Sequence, residues 1–307
     1  MSATETTPPC FFIVGAVRCG TTLLAKLFGA HPQICFSQPK EPHFFALLDG
    51  RPAAARLKAD YFDRYFAHRT AEHRILGEGS VSYLYSADAI RRITETIPDA
   101  RFVVSVRNPV DLVYSYYWRL LYQMDEDVRD FAEAWRLQEA RADGRNIPKR
   151  CRDPRLLRYA EIGRLGHYVG QLFRLAGRER CLVILFDDLA HDPLAEYRRA
   201  LAFLGIPDDG RTEVPRQRVN KTFKSAYVQQ FIVNPPRWMV PTLRHLDANA
   251  RAAAVLKSIR RRLKRANAIP TKRPPLPAEM RATLQAAYAA DIATLSELLG
   301  QDLSHWG

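Results

Sequence analysis

Gly15 and Gly20 bracket a four-residue turn that holds Arg18 and Cys19, and Thr21 and Thr22 follow directly. Such a turn, entered from an apolar run and leaving into a helix, points several backbone N–H groups and a helix N-terminus at one spot. That geometry suits a phosphate or sulfate. The spacing Gly15-x-x-x-x-Gly20 matches the first part of a nucleotide-binding P-loop, but Thr21 stands where an ATPase or GTPase carries the lysine for its outer phosphates. The nearest cation is Arg18. An anion held here would meet one guanidinium, two hydroxyls and backbone amides, an arrangement for a phosphosulfate group transferred without a metal. Taken alone, the two glycines equally serve a tight strand-to-helix turn.

Two further groupings carry chemistry. Lys40 and Glu41 lie between Pro39 and Pro42, so they cannot sit in a regular helix. An ionised glutamate near an anion-binding loop can act as general base towards an incoming hydroxyl or amine, and a neighbouring lysine can neutralise the oxygen of a departing phosphate. On its own, this dipeptide is more simply a solvated loop with a local ion pair. His43 is the rival base, or a packed aromatic-like residue. Further on, Arg107 ends the strand run RFVVSV, where open α/β sheets place their ligands. Asn108 caps the next helix and Pro109 suits its first turn. Ser115 follows Asn108 by almost two helical turns and returns to the face near Arg107, where the two could grip a second phosphate.

In combination these stretches resemble the PAPS-dependent sulfotransferases, bacterial and heparan-type or carbohydrate members above all (PAPS is 3′-phosphoadenosine 5′-phosphosulfate). GAVRCGTT is similar to their 5′-phosphosulfate loop, in which the cation is Lys or Arg. KEPHFF is similar to their catalytic segment, in which the glutamate is the base. The Arg-x-Pro start and the eight-residue gap from Arg107 to Ser115 match their 3′-phosphate site. The resemblance implies PAPS as donor, PAP as product and no metal. It implies Glu41, Lys40, Arg18 and His43 as catalytic candidates. Arg18, Cys19, Gly20, Thr21, Thr22, Arg107 and Ser115 would bind the donor, with Lys221 closing over the 3′-phosphate and adenine from a late basic loop that lacks the usual glycines. The acceptor would be a carbohydrate or glycan-like hydroxyl or amine. Sulfation of a lipid or secondary metabolite is the alternative. Glu78, Ser80 and Tyr83 match a Glu-x-Ser-x-x-Tyr pattern that lines the acceptor cleft; capping and packing at a strand–helix junction account for them as well.

The elements that must position these residues are legible from periodicity. Residues 11–14, 33–36, 75–78, 102–106 and 181–186 read as strands, and helices follow the glycine loop and span 53–68, 86–97, 163–176, 194–204 and 277–299. Asp187 to Leu189 reads as a turn. The expected fold is α/β, a P-loop-like three-layer arrangement with a mainly parallel central sheet and helices on both faces. One domain covers 1–307, with a flexible tail at 1–9. Residues 125–158 resemble an acceptor-side insertion with one helix near 131–141. The segment 235–275 is basic and peripheral. There Val255, Ile259 and Leu263 form an apolar stripe opposite the cations of RRRLKR. That describes a helix packed on the domain, or one set against an anionic membrane or acceptor.

Composition limits the alternatives. The chain has 307 residues, 47% hydrophobic, and a formal net charge of +13, which favours anionic partners without choosing among them. The five cysteines are scattered and form no CxxC pair, so they read as reduced thiols of a cytoplasmic protein, and no metal site is expected. No run of about 18 apolar residues spans a membrane, and no leader is visible at the start. A P-loop small-molecule kinase and a non-enzymatic nucleic-acid or anionic-surface binder are the rivals from other classes. Neither explains both the glycine loop and the Arg107–Ser115 pair, so no nucleic acid is expected as partner.

Overall fold

The computed structural model describes residues 8–48, 57–215, 221–233, 239 and 250–307. Most of the expected tail, the start of the 53–68 helix and part of the 235–275 segment lie outside them. The elements run β1 (Cys10–Ile13), α1 (Thr21–Phe28), β2 (Ile34–Phe36), β3 (Ile75–Glu78), α2 (Ala87–Thr96), β4 (Arg101–Val106), α3 (Pro109–Gln123), α4 (Leu165–Ala176), β5 (Cys181–Leu185), α5 (Phe186–His191), α6 (Pro193–Leu204), β6 (Lys221–Phe223), α7 (Ala226–Val233), α8 (Ala250–Asn267), β7 (Ala268–Pro270) and α9 (Ala278–Leu299), with short helical turns between.

The described residues form two compact units. The first is formed by the described residues within Met1–Val113, Glu161–Gln217 and Ala282–Gly307, and the second by those within Tyr114–Ala160 and Arg218–Arg281. The first unit is built on a five-stranded sheet of order β2-β3-β1-β4-β5. All its pairings are parallel, as the α/β reading expects. A parallel sheet needs cover on both faces, which is why its strands are apolar almost throughout. Phe11 and Ile13 point into a core with Leu24, Leu27, Phe28 and Leu201. Phe12, one residue out of phase, meets Phe45, Tyr83 and Phe102 on the other face. From β1 the chain turns to one side of the sheet, and from β4 to the other. The carboxyl ends of β1 and β4 therefore flank a topological switch point.

Local signals fix the helices. Ser86 caps α2 by accepting from Ala89 N–H at 3.2 Å. Asn108 Oδ1 accepts from Val110 N–H at 2.9 Å to start α3, and Asp192 caps α6. The expected turn at 187–189 is instead helical, as α5. Asp187 and Asp188 occupy its first turn, where carboxylates favour a helix start.

The second unit encloses side chains of its own, among them Phe131, Ala134, Leu157 and Tyr159. Helices Phe131–Arg136 and Gln138–Ala142 replace the single one expected. Glu126 and Arg141, with fully buried side chains, pair at 2.6 Å, and Tyr159 donates to the same carboxylate at 2.7 Å. The late loop expected around Lys221 is also different. Lys221 begins β6, which pairs antiparallel with β7, and α7 follows.

Candidate active site

The glycine loop is fastened from both ends. Val14 N–H donates to Val103 O at 3.0 Å and Ala16 N–H to Ser105 O at 2.8 Å, while Ser105 Oγ donates back to Cys19 O. A Cβ on Gly15 would lie 2.7 Å from Ser105 N, so only glycine lets the loop run this close to β4. Gly20 sits at φ 82°, the left-handed region that glycine enters without cost. Arg18 is left-handed too, at φ 66°, a conformation that costs a non-glycine residue about 1–3 kcal/mol. The side chain of Cys19 is buried, and that burial pushes its thiol up. What Cys19 offers a ligand is therefore its backbone. Thr21 and Thr22 open α1 as expected.

Lys40 joins this loop to the proline-flanked segment. Its Nζ donates to Thr21 Oγ1 at 3.2 Å and to Glu41 Oε1 at 2.7 Å. The second oxygen of Glu41 lies 3.8 Å from His43 Nε2. Lys40 and Glu41 are both half-buried, so their charges are only partly screened while both stay reachable. His43 holds φ 55°, and its Nδ1 meets Ser82 Oγ at 2.7 Å. Burial pulls its imidazole below the ordinary histidine value, against the raising effect of Glu41. The sequence-predicted residues Thr21, Lys40, Glu41 and His43 thus form one connected chain of contacts.

Behind them lies Glu78. The expectation that Glu78, Ser80 and Tyr83 line a cleft is not met, because all three are buried. Glu78 Oε2 accepts from Tyr61 OH at 2.5 Å and Oε1 accepts from Ser80 Oγ. Ser80 Oγ in turn accepts the His43 N–H at 2.9 Å, and Tyr83 OH accepts the Phe45 N–H at 3.2 Å. These hydroxyls tether the backbone of the segment from beneath. Burial pushes the Glu78 carboxyl up to about 7, against the lowering effect of the Ser80, Tyr61 and Tyr83 bonds.

Arg107 stands at the carboxyl end of β4, beside the strand that leads into the glycine loop. Its guanidinium covers the Phe186 ring at 4.5 Å and faces Asp111 at 3.8 Å. Nε is buried and has no partner among the described residues. A buried donor left without an acceptor is costly; a phosphate oxygen is the acceptor that would complete it, so the residue fits an anionic nucleotide. Asn108 Nδ2 donates to Trp306 O at 3.1 Å. Trp306 is buried, and this bond anchors the tail against the residue next to Arg107.

Ser115 and Lys221 belong to the second unit. Ser115 is buried, and its Oγ accepts from Arg273 Nη1 at 2.8 Å. Sequence reasoning missed Arg273. It lies 158 positions from Ser115, and only its place in the basic segment could have flagged it. For Lys221 the structure describes the backbone alone.

A family model described as "Sulfotransferase family" matches residues 9–57 and 42–210. The human heparan sulfate glucosamine 3-O-sulfotransferase 6 is 34% identical over 113 residues, 37% of this chain and 31% of that one. The human carbohydrate sulfotransferase 15 is 28% identical over 151 residues, 36% of this chain and 27% of that one. The chain thus spans about a third or less of the length of these curated relatives. The crystal structure of a sulfotransferase from Alicyclobacillus acidocaldarius matches with a TM-score of 0.66 and 27% identity, covering 98% of this chain and 99% of that one.

Proposed function

We propose, from the premise that this chain belongs to the sulfotransferase family, that it moves the sulfuryl group of PAPS to a hydroxyl or amine of a carbohydrate or glycan-like acceptor. The observation that carries this reading is the bond from Lys40 to Thr21 and Glu41. It joins an anion-binding loop to a carboxylate suited to deprotonate a nucleophile. PAPS supplies the group to be transferred and leaves as PAP. Arg18, the amides from Cys19 to Thr22 and the hydroxyls of Thr21 and Thr22 hold its 5′-phosphosulfate. Arg107 and Ser115 hold the 3′-phosphate, with Lys221 from the late basic segment. The Nε of Arg107, which has no partner among the described residues, and the bond from Arg273 to Ser115 support that assignment. Glu41 takes the acceptor proton, and Lys40 and Arg18 stabilise negative charge on the departing phosphate. Arg18 stays charged at any working pH and so acts as a clamp, not as a proton donor. His43 is the alternative base.

The printed names of the human relatives, heparan sulfate and carbohydrate sulfotransferases, support a glycan acceptor. All five cysteines are free, which supports a reducing, cytoplasmic setting. The test is calorimetric titration with PAP, against ATP with Mg²⁺. Tight, metal-independent PAP binding with little response to ATP is the expected result. Binding of ATP and not PAP would put the kinase reading first.

A further inference from the structure

Helices α7 and α8 of the second unit pack against each other, and their polar contacts fix which face of α8 turns inward. Asn267 Nδ2 donates to Ser225 O at 3.1 Å, and Arg260 reaches Ile232 O at 3.5 Å. These two contacts come from residues two turns apart on one face of α8. Val255, Ile259 and Leu263 recur every four residues alongside that face. Each keeps a large part of its surface open to solvent: Val255 is 59% exposed, Ile259 50% and Leu263 39%. On α7, Tyr227 and Phe231 lie four residues apart and are 86% and 46% exposed, with Val228 open beside them. Single apolar residues on a surface are ordinary, but six large ones on two adjoining helices mark an interaction surface.

The charge beside them identifies the partner. Helix α8 contains no acidic residue, and Arg261, Arg262, Lys264 and Arg265 are exposed. Arg262 and Arg265 flank the stripe on the side away from Asn267. Long cationic side chains beside a row of aliphatic ones can place their stems in hydrocarbon and their heads among anionic groups. A nucleic acid or sulfated glycan would take the arginines and leave Val255, Ile259 and Leu263 in water. A second copy would bring one arginine-rich face against another. We propose that α7 and α8 form an interfacial anchor that seats this protein on an anionic lipid bilayer, with the apolar side chains in the headgroup boundary. No helix among the described residues is long and apolar enough to cross a membrane, so this surface would lie on the bilayer and not through it. The proposal does not depend on the sulfotransfer reading.

The test is flotation of the full chain with vesicles of phosphatidylcholine, alone or mixed with phosphatidylglycerol. The protein should float with the mixed vesicles about tenfold more strongly than with phosphatidylcholine alone. Ile259→Ser with Leu263→Ser should lower that binding about tenfold, and Arg262→Glu with Arg265→Glu should do the same. Unchanged thermal unfolding would show that the variants fold. If the serine pair fails to fold, Tyr227→Trp replaces it: brominated lipid should quench its emission beyond that of the parent. Four outcomes would overturn the proposal: no vesicle binding, binding indifferent to the serine pair, no added quenching, or a concentration-dependent dimer that the same substitutions abolish.

Discussion

Lys40 Nζ lies 2.7 Å from Glu41 Oε1, and the same ammonium reaches Thr21 Oγ1 at 3.2 Å. The carboxylate that would receive a proton is therefore held by the lysine that also touches the anion-binding loop. Glu41→Gln preserves size and one acceptor oxygen but removes the base. Turnover with an acceptor selected from a glycan screen should fall about 100-fold or more, while PAP affinity by calorimetry changes less than about twofold. Unchanged turnover would move the base to His43.

Arg107 offers a buried Nε with no partner among the described residues. If a 3′-phosphate supplies that partner, Arg107→Ala should weaken PAP binding about 30-fold, the range of a hydrogen bond to a charged group. Binding of 5′-AMP, which lacks the 3′-phosphate, should barely change. Equal weakening of both ligands would remove Arg107 from that role.

Burial raises the Glu78 carboxyl from the ordinary 4.5 to about 7, so between these values the folded chain binds a proton that the unfolded chain has released. Stability must then fall as pH rises through this window and level off above it, by about 3 kcal/mol at most from this one group. Glu78→Gln cannot ionise and should flatten the slope. The check is thermal unfolding of both proteins at about pH 5 and about pH 7.5. Parallel pH dependence would mean that the carboxyl keeps an ordinary value.

Much of the first unit was legible because its signals are local. The runs at β1, β4 and β5 are apolar without alternation, as strands buried on both faces must be. Gly15, Gly20 and the two prolines around Lys40 and Glu41 each punctuate the chain where the structure turns. What stayed hidden depends on which surface covers which residue. Glu78 gives no sign of being buried, because its partners Tyr61 and Ser80 lie on either side in sequence and become partners only in the fold. Nothing in the sequence marks Glu126 and Arg141 as enclosed with Tyr159. The stripe of α8 was periodic in sequence, but period alone does not say whether a stripe meets protein or solvent. Arg273 could not be paired with Ser115 across 158 positions of sequence.

The Glu126–Arg141 pair tests whether the second unit depends on its buried charges. Both side chains are fully enclosed, and Glu126 Oε1 also accepts the N–H groups of Asp127 and Val128 at 2.9 and 3.0 Å. Arg141→Met would leave a carboxylate in the core without its counter-charge, which costs about 3–5 kcal/mol. Adding Glu126→Gln removes that stranded charge while its amide oxygen can still accept from the two backbone groups. The double variant should therefore be more stable than Arg141→Met alone, by more than about 1 kcal/mol in chemical denaturation. Simple addition of two losses would show that the arginine matters for its packing and not for its charge.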